Sequence, residues 1–236
     1  MLGLMHTKIP AARRFGLLAG LVTATAGAGP AALGAQGVIT GRVTMLEREG
    51  RATEDLAQAV VWLEGAAAPP GQPDTVEMAT EQKQFVPRVA VIPVGSTVVF
   101  PNHDPFNHNV FSLSPEKPFD LGLFGRGESR AVTFDRPGIV RVYCNVHALM
   151  RAFVLVRESA FFTQPGSDGS FRLAPVPPGR YVLHVWHERA RELTQPLAVT
   201  AGPSAPLTLT LDARGYKYVQ HRDKEGKSYY ERTSRY

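Results

Sequence analysis

In Tyr143-Cys144-Asn145-Val146-His147-Ala148-Leu149-Met150, a thiol, an imidazole and a thioether follow one another at Cys-x2-His-x2-Met. Cys144 is the only cysteine in the 236 residues. Thiolate, imidazole and thioether are soft or borderline donors, a set that suits copper in both of its oxidation states. A blue-copper donor set needs one more imidazole. His108 stands upstream, in Pro105-Phe106-Asn107-His108-Asn109-Val110-Phe111-Ser112. Zinc is the alternative metal, although a thioether is a poor zinc ligand. A catalytic cysteine with His147 as its base is the alternative to a metal, and it leaves His108 without a part to play. Taken singly, a lone cysteine is a small buried hydrophobe and Met150 is core; the joint pattern carries the metal reading.

Positioning these side chains falls to strands. Pro137-Gly138 reads as a turn that opens a strand at Ile139. Period-2 alternation then puts Cys144 on the inward face with Val140 and Val142. A second strand runs from Phe153 to Val156, so Cys144, His147 and Met150 share one short loop. Further strand-like runs stand at 38–43, 59–64, 85–94, 96–100 and 130–134, while 114–127 reads as loop. Residues 65–74, with three prolines and two glycines, read as a linker. No segment after the N-terminal one sustains a helical period, so the expected class is all-β.

With those residues in view, the segment from about Gln82 to Arg157 resembles the small blue copper proteins, the cupredoxins. Its short Cys-x2-His-x2-Met loop is most similar to amicyanin. The resemblance implies a cupredoxin-like Greek-key β-sandwich holding one type 1 copper. It gives His108, Cys144 and His147 the equatorial positions and Met150 the axial one, with Asn109 bracing the cysteine loop. It also implies that Phe106, Ala148 and Leu149 shield His147 and form a docking patch. One-electron transfer with a redox partner protein is the implied function.

A second resemblance lies downstream. Asp168-Gly169-Ser170-Phe171 followed by Pro177-Pro178-Gly179-Arg180-Tyr181 is similar to the carboxypeptidase regulatory-like (transthyretin-like) β-sandwich. That family's opening elements resemble Thr40-Gly41-Arg42-Val43 and Ala59 to Leu63. The domains expected are one small sandwich from 36–75 and 160–212, split by a copper domain at 76–159; two consecutive domains are the alternative. The combination resembles methylamine-utilisation-type exported proteins. The regulatory-like family implies no catalytic residues, and the clustered His-x-His pairs of multicopper oxidases are absent, so an enzyme is not expected. His184 and His187, three apart on a strand, fall on opposite faces and are not expected to share a metal. His103 reads as a loop histidine.

Residues 1–35 read as a cleaved export signal, with Lys8, Arg13 and Arg14 ahead of an apolar stretch from Phe15 to Val22. Arg13-Arg14-Phe15 leaves twin-arginine and ordinary secretion both open. The stretch is too short for a permanent membrane span, so a periplasmic protein with no integral membrane segment is expected. An unpaired cysteine in an oxidising compartment is a liability unless something such as a metal bond occupies it.

Residues 213–236 carry seven Lys/Arg, three Asp/Glu and five of the seven tyrosines. They read as a disordered basic tail, or as a handle for an acidic partner or anionic surface. The body between the two basic ends is nearly neutral, and nothing points to nucleic acid. Copper storage, carriage or sensing, and a structural or interaction role, are the alternatives to electron transfer.

Overall fold

The computed structural model describes residues 35–49 and 53–229. The expected signal segment, apart from its last residue, lies outside the described residues. As expected, the chain is all-β. Among the described residues the one helical element is the 3-10 turn Leu56–Gln58.

Two sandwiches are built. In the first, Gly37–Leu46 pairs antiparallel with Ser170–Val176 and parallel with Leu207–Asp212. Its facing sheet runs Phe162–Thr163, Val60–Glu64, Gly179–Trp186, Leu193–Val199. Alternation closes the core between them: Ile39, Val43, Leu173 and Leu209 from one sheet meet Val61, Leu63, Leu183 and Val185 from the other. At the Asp168-Gly169 turn the backbone has φ +82°, and a Cβ on Gly169 would sit 2.1 Å from the Val43 carbonyl oxygen. Only glycine lets the turn close on that strand.

The second sandwich lies wholly between residues 75 and 157. One sheet has the order Val89–Pro93, Arg151–Arg157, Gly138–Cys144, His108–Ser112, Phe119–Phe124. The other has Ser129–Phe134, Ser96–Pro101, Thr75–Glu77. Cys144 does face inward with Val140 and Val142, in a core that includes Phe100, Phe124, Phe134 and Met150. Phe119–Phe124, in a stretch that reads as loop, is instead an edge strand against His108–Ser112. Its inward positions alternate too weakly for the sequence to signal it, since only Phe124 is buried.

Residues 69–71 and 158–160, the legs into and out of the second sandwich, run side by side. Gly71 N–H donates to the Glu158 carbonyl at 2.8 Å and Ala160 N–H to that of Pro69 at 2.9 Å. The two sandwiches then meet back to back. Val60 and Trp62 on the outer face of one sheet, with Trp186, pack against Val89, Phe153 and Leu155 of the other. This explains two unbroken apolar runs in a chain that otherwise alternates. In Arg151–Arg157, Ala152, Val154 and Val156 fill the second core while Phe153 and Leu155 fill the interface. In Val60–Glu64 the same division separates Val61 and Leu63 from Val60 and Trp62. A strand buried on both faces has no reason to alternate.

Phe153→Ala should remove an aromatic ring from this interface and cost ~3–5 kcal/mol in chemical denaturation. The two sandwiches should lose stability together if the interface couples them. Tryptophan fluorescence, from Trp62 and Trp186 at the junction, follows the transition directly.

Candidate metal centre

His108 opens the strand His108–Ser112, and Cys144 closes Gly138–Cys144 two strand positions away in the pairing Cys144↔Val110. Antiparallel pairing therefore brings the two residues to the same end of the sheet although 36 residues separate them. His147 reaches the same point from a loop cinched at its base. Met150 N–H donates to the His147 carbonyl at 3.0 Å, and Cys144 N–H to the Met150 carbonyl at 3.2 Å. The loop is held from outside as well, by Asn145 N–H donating to the Asn109 carbonyl at 2.9 Å.

The result is a triangle of donor atoms. Cys144 Sγ is 3.5 Å from His108 Nδ1 and 3.7 Å from His147 Nδ1, and the two nitrogens are 3.2 Å apart. A point equidistant from all three lies about 2.0 Å from each, close to metal–nitrogen and metal–sulfur bond lengths. His108 and Cys144 are fully buried, and His147 is half-buried. Met150 is buried in the same core as Cys144. Val146 N–H also points at the sulfur, at 3.4 Å. A thiol and two imidazoles converging in this way suit a first-row metal such as copper.

The orientation of His108 has a cause that sequence reading missed. Its Nε2 lies 2.8 Å from Asp104 Oδ2. With the proton on Nε2 donated to that carboxylate, the lone pair of Nδ1 is left facing Cys144 and His147. Asp104 is itself pinned by the backbone N–H groups of Gln82 and Lys83, at 2.7 and 3.0 Å. Burial alone would raise the Asp104 carboxyl, but the Lys83 N–H, His108 and the Gln82 N–H outweigh it and hold it below its usual range. Gln82 and Lys83 both have positive φ, 52° and 57°, at the tip of the hairpin Ala79–Glu81/Gln84–Val86. Two such non-glycine residues cost energy, and their amides aim as a pair at one anion. An Asp four residues before the histidine was the available signal.

Around the triangle, Phe106 packs against both imidazoles, with ring centroids 5.5 Å from His108 and 5.4 Å from His147. Burial, then the nearby His108 and the Lys83 cation, push the His147 imidazole below its ordinary value. Leu149 is 74% exposed and Ala148 half-buried, so the loop presents apolar surface beside His147. The Asn109 side chain makes no hydrogen bond to the cysteine loop. Its Nδ2 donates to Asp120 Oδ1 at 2.5 Å and the Gly122 carbonyl at 2.9 Å, and only its backbone carbonyl supports the loop. His103 lies outside the triangle, as do His184 and His187.

Part of the chain is similar to proteins of known structure. A purple cupredoxin from Nitrosopumilus maritimus is similar at 24% identity and TM-score 0.32, over 35% of this chain and 99% of its own. Amicyanin from Paracoccus versutus is similar at 22% identity and TM-score 0.34, over 40% and 97%. A copper-containing nitrite reductase from Thermus scotoductus shares 27% identity at TM-score 0.35, over 49% of this chain and only 28% of the reductase. No family model matches the chain, and no curated protein matches it.

The disorder expected of 213–236 does not hold for 213–229; residues 230–236 lie outside the described residues. The segment lies against the metal loop because its rings and charges find partners there. His221 stacks on Tyr143 at 4.3 Å. Lys224 N–H donates to Asn145 Oδ1 at 3.1 Å and its Nζ pairs with Asp120 at 2.6 Å. Tyr229 Oη donates to the carbonyl of Cys144 itself, at 2.9 Å. Upstream, Tyr216 Oη accepts from Arg151 at 2.8 Å and donates to Glu188 at 2.9 Å.

Asp104→Ala should weaken metal binding about 10–100-fold, because His108 loses the partner that sets its tautomer and its angle. A chelator competition titration measures this. Tyr229→Phe removes one hydrogen bond to the cysteine backbone and should cost ~1 kcal/mol of unfolding free energy, read as a lowered denaturation midpoint. An unchanged midpoint would mean that the segment rests on the loop without supporting it.

Proposed function

We propose that this protein binds a single type 1 copper and passes single electrons to and from a redox partner protein. The observation that carries the reading is the donor triangle: three side chains from two strands and a loop, already at metal-binding separations. His108, Cys144 and His147 would be the three strong ligands in this proposal, and Met150 would supply a weaker fourth donor. Bound copper would supply a one-electron couple. The chain's own contribution is to keep the ligands in place. Asp104 fixes His108, the cinched loop and Tyr229 fix Cys144 and His147, and the core around Met150 prevents relaxation to another coordination geometry. A site that moves little between oxidation states has little to reorganise when an electron arrives. The Val146 N–H at the sulfur is a further lever on potential.

In the same reading the protein is not an enzyme, and no catalytic residue is assigned. The inserted sandwich is a cupredoxin-like domain, and the outer one, 36–75 with 160–212, is a carboxypeptidase regulatory-like module. The protein works in the periplasm after export, and no described helix is long and apolar enough to cross a membrane. The half-buried His147 edge, beside exposed Leu149 and Val146, is where the redox partner docks. The basic C-terminal residues would add an electrostatic contribution for an acidic partner or anionic surface.

Addition of Cu(II) to the protein should produce an intense visible thiolate-to-copper band and an EPR signal with narrow copper hyperfine splitting. Cys144→Ser should abolish the band, because a hydroxyl is a hard and weak donor; a variant that stays blue would sink the assignment. Met150→Leu should keep the colour and raise the potential, since losing a weak donor disfavours Cu(II) more than Cu(I). Absence of reversible voltammetry on a blue protein would favour copper carriage over electron transfer.

A further inference from the structure

The C-terminal segment meets three consecutive residues, Tyr143, Cys144 and Asn145. The His221 ring stacks on Tyr143, Tyr229 Oη donates to the Cys144 carbonyl, and the Lys224 N–H donates to Asn145 Oδ1. Lys224 Nζ also pairs with Asp120, whose other carboxylate oxygen accepts from Asn109, the neighbour of His108. These contacts tie the backbone that carries Cys144 to the pair of strands that begins at His108. Cys144 is fully buried, so no reagent or ion exchanges at its sulfur until that backbone moves.

The segment is attached in a way that lets it lift. The last strand ends at Asp212, and among the described residues no strand pairing joins 214–229 to either sandwich. The part that carries Lys224 closes on itself instead. Gly226 N–H donates to the Asp223 carbonyl and Asp223 N–H to that of Lys227, both at 2.9 Å. The Asp223 carboxylate takes the Glu225 and Lys227 N–H groups at 3.0 and 2.7 Å. Such a turn keeps its backbone bonds when it separates from the body. A cavity of about 730 Å³ is lined by Lys224 and Tyr229 of the segment and by Asn145, Val146 and Ala148 of the loop. The two are therefore not packed against each other there, and little apolar burial opposes their separation. The Lys224–Asp120 pair is partly exposed on both sides, so salt weakens it. Tyr216, held between Arg151 and Glu188, is the fixed end.

We propose that residues 217–229 are a releasable strap over Cys144. Closed, it fixes the Tyr143–Asn145 backbone and shuts the thiol in. Lifted as a unit from its attachment at Tyr216, it frees the loop to open while both sandwiches stay folded. Strap release would then set how fast an ion enters or leaves the donor triangle. That consequence rests on the copper reading, whereas control of access to Cys144 does not.

Alkylation by iodoacetamide of the metal-free, full-length protein reads the opening directly, because Cys144 is the only thiol. Tyr229→Phe should speed alkylation about 5-fold, the equivalent of one hydrogen bond. Deleting 221–236, which also removes the Lys224 contacts, should speed it about 10-fold or more. Added salt should speed the parent but not Lys224→Gln, which has no ion pair to screen. In the parent the rate should depend only weakly on urea, since a local opening exposes little surface. Unchanged alkylation in the deletion variant, or a urea dependence in the parent as steep as that of global unfolding, overturns the strap. With copper loaded, transfer of Cu(I) to bicinchoninate should quicken by similar factors. Equal transfer rates beside faster alkylation overturn the link to ion exchange. Failure to take up copper at all counts against the copper reading and leaves the alkylation result to decide the strap.

Discussion

The strand Arg151–Arg157 is buried on both faces, and the rest of the molecule is arranged around that constraint. One face completes the core that holds Cys144 and Met150, and the other closes the interface with the outer sandwich. Met150 immediately precedes the strand, and Arg157 ends it against Trp62. Arg151, at its start, pairs with Glu188 of the outer sandwich, which also pairs with Arg88. The Cys144–Met150 loop is therefore anchored at one end to an element that cannot shift without disturbing both sandwiches. Each large side chain in that interface contributes about 1.5–3 kcal/mol through burial alone.

The centre itself is organised from the outside inward. A strained two-residue turn offers two amides to Asp104, Asp104 orients His108, and His108 presents Nδ1 to the cysteine. The C-terminal segment completes the other side, through Tyr229 on the Cys144 carbonyl and Lys224 on Asn145. Both chains of contacts remove freedom from the residues of the triangle, the means by which outer contacts tune a metal centre.

Local spacing was enough for the sequence to determine the all-β class, the inward face of Cys144 and the shared loop of Cys144 and His147, whereas His108, 36 residues upstream of Cys144, is brought in by the pairing of two strands. Alternation is a property of neighbours along the chain, and a loop of seven residues has few ways to close. The tertiary structure alone decided the Asp104 support, because it depends on amides of Gln82 and Lys83 brought in from a separate hairpin. It decided the edge strand Phe119–Phe124, which has too little apolar alternation of its own to be read in isolation. It also turned 213–229, polar and basic enough to read as unstructured, into a support for the Cys144–Met150 loop. The partners of His221, Lys224 and Tyr229 lie some 80 to 100 residues away. Composition reports what a segment can bury by itself, whereas contacts of that separation exist only after the sheets have closed.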